Sequence, residues 1–154
     1  MPKEPKFDIS KFKHSVKSWV KFSDIDAVGV IYNIQYFYWL EWARTEYLKS
    51  LGYILVPDLF IKILPVMVVH AEIDYFSSAG FGEEYEILTR TSFIGRTSLG
   101  YENIIKTNKS GLVEASATLV NLNPATMAPE RISPLLINRT IEYENDNVKM
   151  IVKF

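Results

Sequence analysis

Apolar and polar residues alternate near the start of the chain and then change period, and the change separates strand from helix. From Ser15 to Phe22 the residues Val16, Val20 and Phe22 interleave with Lys17 and Lys21, as in a strand with one wet face. Between Ser23 and Asn33 the alternation stops, and two aspartates with Gly29 mark a turn-like segment. From Ile34 to Leu51 the period is helical: Tyr36, Leu40, Ala43, Tyr47 and Leu51 recur at spacings of three and four, and Gly52 is placed to end the helix. After a loop containing Pro57, strand-like runs cover Leu64–Phe76, Tyr85–Phe93, Ser98–Thr107 and Leu112–Asn123. A short helix at Pro134–Thr140 and a weak strand are expected in the tail.

The order strand, long helix, four strands predicts a single α+β domain over residues 1–154, built on one antiparallel sheet. One helix cannot cover both faces of such a sheet, so part of it should meet a partner subunit. Tyr38 and Trp42 fall opposite the apolar stripe of the helix, where large aromatics suit a contact better than open water.

Composition narrows the function. Lys plus Arg (17) nearly balances Asp plus Glu (18), which argues against a nucleic-acid partner. The one basic cluster, Lys3, Lys6, Lys11, Lys13 and Lys17, is diluted by Glu4 and Asp8; residues 1–14 are expected to be a flexible, solvated start. There is no cysteine, hence no disulfide, thiolate metal site or Cys nucleophile. No stretch reaches the length of a membrane span, so a cytoplasmic protein with no membrane partner is expected.

Candidate chemistry is sparse. His14 and His70 have no spaced partner and are expected to be structural. Zinc-protease, phosphate-loop, dinucleotide and serine-elbow motifs are all missing. What remains is Asp24 and Asp26, two residues apart, just ahead of Gly29 and the long helix. A carboxylate near unpaired N–H groups at the positive end of a helix could attack, or deprotonate water, while those amides hold a developing oxyanion. The same spacing also suits a cap or turn residue. On the helix, Glu41 and Arg44 stand three residues apart and are expected to form an ion pair.

Read together, Phe22-Ser23-Asp24-Ile25-Asp26-Ala27-Val28-Gly29-Val30-Ile31-Tyr32-Asn33, then Tyr36, Glu41, Ala43, Arg44 and Glu46, resemble the 4-hydroxybenzoyl-CoA thioesterase family and the short-chain acyl-CoA thioesterases associated with the Tol–Pal cluster. Val68–Tyr75, Gly95-Arg96-Thr97-Ser98-Leu99 and Val120-Asn121-Leu122-Asn123-Pro124 extend the resemblance over roughly residues 15 to 140. It implies a hotdog fold, a curved antiparallel sheet wrapped around one long helix, assembled as a homodimer or homotetramer with active sites at the dimer interface. It implies hydrolysis of an acyl-CoA, with Asp26 as the catalytic carboxylate, the backbone N–H near Asn33 as oxyanion donor, and Asp24 in a local structural role. Gly29, Tyr32, Arg96, Thr97 and Ser98 would contact the substrate, Arg96 through CoA phosphates; no metal or redox cofactor is implied. Asn33 is a departure, since Tol–Pal-type members carry His there, and an amide cannot shuttle a proton near neutral pH. Rival readings are an acyl-CoA-binding module without turnover and a hotdog enoyl-CoA hydratase or dehydratase.

Overall fold

The computed structural model describes residues 4–151. The first strand, β1, is His14–Trp19, and the main helix, α1, is Gln35–Ser50. Four long strands follow: β2 (Val66–Tyr75), β3 (Glu84–Ile94), β4 (Ser98–Lys106) and β5 (Gly111–Asn121). The tail forms α2 (Pro134–Glu144) and the two-residue β6 (Lys149–Met150). In the sheet the order is β1-β3-β4-β5-β2, antiparallel throughout, and β6 joins the far end of β3 in parallel. This is the α+β arrangement that the change of period predicts, with each long strand placed within two residues of its expected limits.

α1 lies along the inner face of the sheet because its apolar stripe has nowhere else to go. Tyr36, Leu40, Ala43, Tyr47 and Leu51 are all buried, as the spacing requires. The N-terminal half of the helix packs with Tyr85, Ile87, Ile105 and Val113, and the C-terminal half with Ile94, Leu99, Tyr101 and Leu119. Its start is therefore fixed beside the beginning of β3 and its end beside the end of β3. Gly52 terminates it at φ +84°, with the Tyr53 amide donating to the Leu48 carbonyl (3.1 Å) and the Gly52 amide to Lys49 (2.9 Å), a Schellman closure. Tyr38 and Trp42 face outward as expected.

The two ends of the sheet differ. β1 is a short edge whose outward positions include Ser15 and Lys17. β2 is a ten-residue edge on which Met67, Val68 and Val69 are exposed, with a register irregularity between Val68 and His70. On the outer face the N-terminal segment does what the lysine-rich composition hides. The Lys6 and Phe7 amides both donate to the buried Glu114 carboxylate of β5 at 2.9 Å, and Phe12 lies under the Arg90 guanidinium. Residues 4–13 thus lie over part of the face that one helix cannot cover. Residues 1–3 fall outside the described chain.

α2 is tied to α1 by a buried polar cluster. Glu144 Oε1 accepts from the Tyr47 hydroxyl (2.6 Å) and the Thr91 amide (3.2 Å), while Oε2 meets no partner. Burial pushes this carboxyl above its ordinary 4.5, outweighing the bonds from Tyr47 and Thr91, which act the other way. The folded protein therefore keeps a proton that the unfolded chain releases above that value. The stabilising contribution is full below it and declines as pH rises through the folded value. Glu144→Gln, which removes the titration, should flatten the fall in urea midpoint as pH rises above the ordinary carboxylate value. Parallel profiles for the two proteins would refute this.

Candidate active site

The segment Ser23–Asn33 is more ordered than a turn. Phe22–Asp24 forms one 3-10 turn, closed by Asp24, whose buried side chain accepts from the Lys21 amide at 2.8 Å. The chain then folds into a miniature hairpin. Tyr32 N–H donates to Asp24 O (2.9 Å), Ile25 bridges Ile31, and Asp26 N–H donates to Val30 O (2.8 Å). Gly29 makes the tip possible: its φ of +86° is the left-handed region that favours glycine, and its N–H closes the turn onto Asp26 O at 3.0 Å. The hairpin is seated on the loop before β3, where Ile31 N–H donates to Ala79 O and Val30 bridges Gly80.

Asp26 stands at the neck of this hairpin, half-buried. Its Oδ1 accepts from Val28 N–H at 2.8 Å and from Val30 N–H at 3.4 Å. Those bonds fix the plane of the carboxylate. Among the described residues no donor reaches Oδ2, so one oxygen is held and the other is open. Asp24 does the local structural work that the resemblance implies for it.

The start of α1 is uncapped. Ile34 at the N-cap is already helical (φ −74°, ψ −25°), no side chain caps the end, and no acidic residue occupies the first turn. The Gln35 amide is taken by Tyr32 O (2.8 Å), whereas the Asn33 and Ile34 amides find no acceptor among the described residues. The positive end of the helix is thus left without a compensating charge, beside exposed backbone donors. From the rung at Asp26 and Val30 to Asn33 is three residues, at most about 10 Å of extended chain, and the turn into the helix shortens it.

Tyr75 is the neighbour that sequence reasoning missed. Its hydroxyl donates to Asn33 O at 3.2 Å and its ring meets Tyr36 edge-on at 5.5 Å, so the last residue of β2 steadies the helix entrance. An aromatic in a strand pattern reads as core filling, and nothing in the sequence marks this bond. Burial pushes the Tyr36 phenol up to about 12, keeping it a neutral hydroxyl.

Of the other expected site residues, two join this group within one subunit and three do not. Gly29 and Tyr32 belong to the hairpin and are exposed. Arg96, Thr97 and Ser98 form the turn between β3 and β4, with Arg96 exposed. That turn is fixed by backbone bonds in which Gly95 N–H donates to Ser98 O (2.7 Å), Asn121 N–H to Thr97 O (2.7 Å) and Ile132 N–H to Arg96 O (2.9 Å). It lies at the end of β3, while the hairpin sits against the loop that begins β3. Eleven residues of strand separate the two, on the order of 30 Å. His70 is exposed and bonded to Glu72 (2.9 Å), and His14 is buried edge-on against Tyr47, so neither histidine approaches Asp26. The expected Glu41–Arg44 ion pair is not formed: Arg44 has no ion pair or hydrogen bond among the described residues, and Glu41 is exposed.

Known proteins resemble this chain in sequence and in fold. The acyl-CoA thioesterase YbgC of Haemophilus influenzae is 28% identical over 110 residues, covering 71% of this chain and 81% of the relative. A 1,4-dihydroxy-2-naphthoyl-CoA hydrolase of Prochlorococcus marinus is 27% identical, covering 72% of this chain and 76% of the relative. Among solved structures, a thioesterase from Thermus thermophilus complexed with coenzyme A and Zn superposes with a TM-score of 0.77, is 25% identical, and covers 88% of this chain and 97% of its own. No helix among the described residues is long and apolar enough to cross a membrane. Residues 20–143 match the thioesterase-like superfamily, and the chain belongs to it.

Proposed function

We propose that this protein hydrolyses acyl-CoA thioesters to a free carboxylic acid and CoA, at a site that two subunits build together. The observation that carries the reading is the pairing of a carboxylate with one restrained and one open oxygen, at Asp26, with the unbonded amides of Asn33 and Ile34 at an uncapped helix start. The thioester oxygen would point at those amides, which stabilise negative charge as it develops. Asp26 takes a proton from water, and the resulting hydroxide adds to the carbonyl carbon. The tetrahedral oxyanion then collapses, breaks the carbon–sulfur bond, and the thiolate recovers a proton. Direct attack by Oδ2, giving an acyl-aspartyl anhydride that water then cleaves, uses the same geometry. In single-turnover hydrolysis in oxygen-18 water, label in Asp26 would identify the anhydride route, because it can arise only when water attacks the aspartyl carbonyl; trapping the anhydride with hydroxylamine covers attack at the acyl carbonyl. Neither route needs a metal or redox cofactor.

The second subunit follows from the separation of Arg96 and Asp26. Tyr75, at one end of β2, touches Asn33; Val66, at the other end, pairs with Asn121, which holds the Arg96 turn. Two β2 edges joined antiparallel about a two-fold axis place the Val66 end of one beside the Tyr75 end of the other. The partner's Arg96 then comes to the site that contains Asp26, and it can hold CoA phosphates there, flanked by Thr97 and Ser98 of the partner subunit. A homodimer is the minimal unit, and a homotetramer is a pair of such dimers.

Thiol release measured over a panel of acyl-CoAs tests the function, run beside enoyl-CoA hydration and equilibrium binding. Release of thiol with saturable rates is the expected result. Hydration without thiol release, or binding without turnover, would replace it with the hydratase or the sensor.

A further inference from the structure

Two adjoining hollows run along the side of α1 that faces β2. The first, about 200 Å³, lies among Phe37, Leu40, Val68, Ala71 and Ala117. The second, about 280 Å³, lies among Leu48, Phe60, Val66, Tyr101 and Leu119. Glu41, Arg44 and Val68 border both, so they form one trough. Phe37, on its border, is one helical turn from Asn33 and Ile34, and the walls are mostly apolar.

Two donors without acceptors border it. The Arg44 guanidinium has no hydrogen bond or ion pair among the described residues, and desolvation is the main effect on it, lowering its pKa. The Tyr101 ring is buried, its hydroxyl has no hydrogen bond among the described residues, and burial pushes the phenol up, so that it stays a donor. A guanidinium withdrawn from water beside an unused hydroxyl, in an otherwise apolar hollow, is suited to one acceptor group carrying negative charge. Two carboxylates also border the trough. Glu41 is exposed and stays beyond ion-pair distance of Arg44, and Glu72, on the Phe37 side, is bonded to His70. Neither forms an ion pair with Arg44, although the Glu41 charge partly offsets the desolvation of the guanidinium.

We propose that the trough takes the acyl chain and that Arg44 and Tyr101 receive a carboxylate within it, so that the preferred substrates are ω-carboxyacyl thioesters, the half-thioesters of medium-chain dicarboxylic acids. This rests on the thioesterase reading above. Ile34 and Arg44 are ten residues apart along α1 and its N-cap, about 15 Å of helix, which bounds the reach of the chain.

The test compares kcat/KM for adipyl-, suberyl- and sebacyl-CoA with hexanoyl-, octanoyl- and decanoyl-CoA. For the wild type the best carboxylated substrate should exceed its plain counterpart by about tenfold or more. Arg44→Met should bring that ratio to about one or below, and Tyr101→Phe should reduce it several-fold. Arg44→Lys, which keeps the charge without the fork, should fall between. A wild-type ratio of one or less overturns the proposal, as does a ratio that survives in both Arg44→Met and Tyr101→Phe. Equal loss on both substrate classes, with dissociation of the oligomer in Arg44→Met, would assign Arg44 to the subunit contact instead. Thiol release from plain acyl-CoAs alone leaves the thioesterase reading standing and removes this one; release from no thioester removes both.

Discussion

Asp26→Asn is expected to lower kcat for the best acyl-CoA by about a thousandfold or more while leaving fold and CoA binding intact. The geometry makes this substitution unusually clean. Asparagine keeps an Oδ1 that can accept from the Val28 and Val30 amides, so the hairpin retains its side-chain bonds. What changes is the open position, where an acceptor of protons becomes an amide NH₂ that can neither attack nor take a proton from water. Thermal unfolding and CoA titration check the first half of the statement, and steady-state rates the second. Activity within a few-fold of wild type would mean that Asp26 is only a turn residue, and the proposed chemistry would fall with it.

The second large effect concerns which subunit supplies which group. Arg96→Ala should raise KM for CoA esters by about tenfold or more, because an exposed guanidinium that contacts phosphates contributes to binding rather than to the chemical step. A heterodimer of one Asp26→Asn chain and one Arg96→Ala chain should then recover about half of the wild-type activity at low substrate. In the shared arrangement both lesions fall in one site and the other site is whole. If each subunit used its own Arg96, both sites would be damaged and the heterodimer would show only the mean of its parents. Differently tagged, co-expressed chains allow that heterodimer to be isolated and the two arrangements to be told apart.

Period and punctuation in the sequence were enough for the frame. The apolar stripe from Tyr36 to Leu51 fixes which face of α1 is buried, and Gly52 gives its end, because only a residue at ease with positive φ closes a Schellman turn. The neighbourhood of Asp26 was legible only through family likeness. Each arm of its hairpin is three residues long, too short for alternation to register, and the bonds that shape it come from backbone amides that any sequence carries. Glu41 and Arg44 show a different limit. Their spacing permits an ion pair, yet Arg44 is drawn into the trough against Tyr101 while Glu41 stays in water, and spacing along one helix carries no information about what the sheet presents to it. The N-terminal lysines misled for a similar reason. The informative residue was Glu114, a lone carboxylate within an apolar strand, which must find donors when buried and finds them in the Lys6 and Phe7 amides.

The unequal margins of the sheet also limit how far copies of this protein can stack. β1 offers six residues with Lys17 in their midst, a poor template for another strand. β2 is ten residues long with Met67, Val68 and Val69 exposed, and it is this margin that the proposed dimer pairs with its copy. In the proposed dimer a symmetric handshake uses up that margin on both sides, so assembly would close on itself instead of growing into a filament.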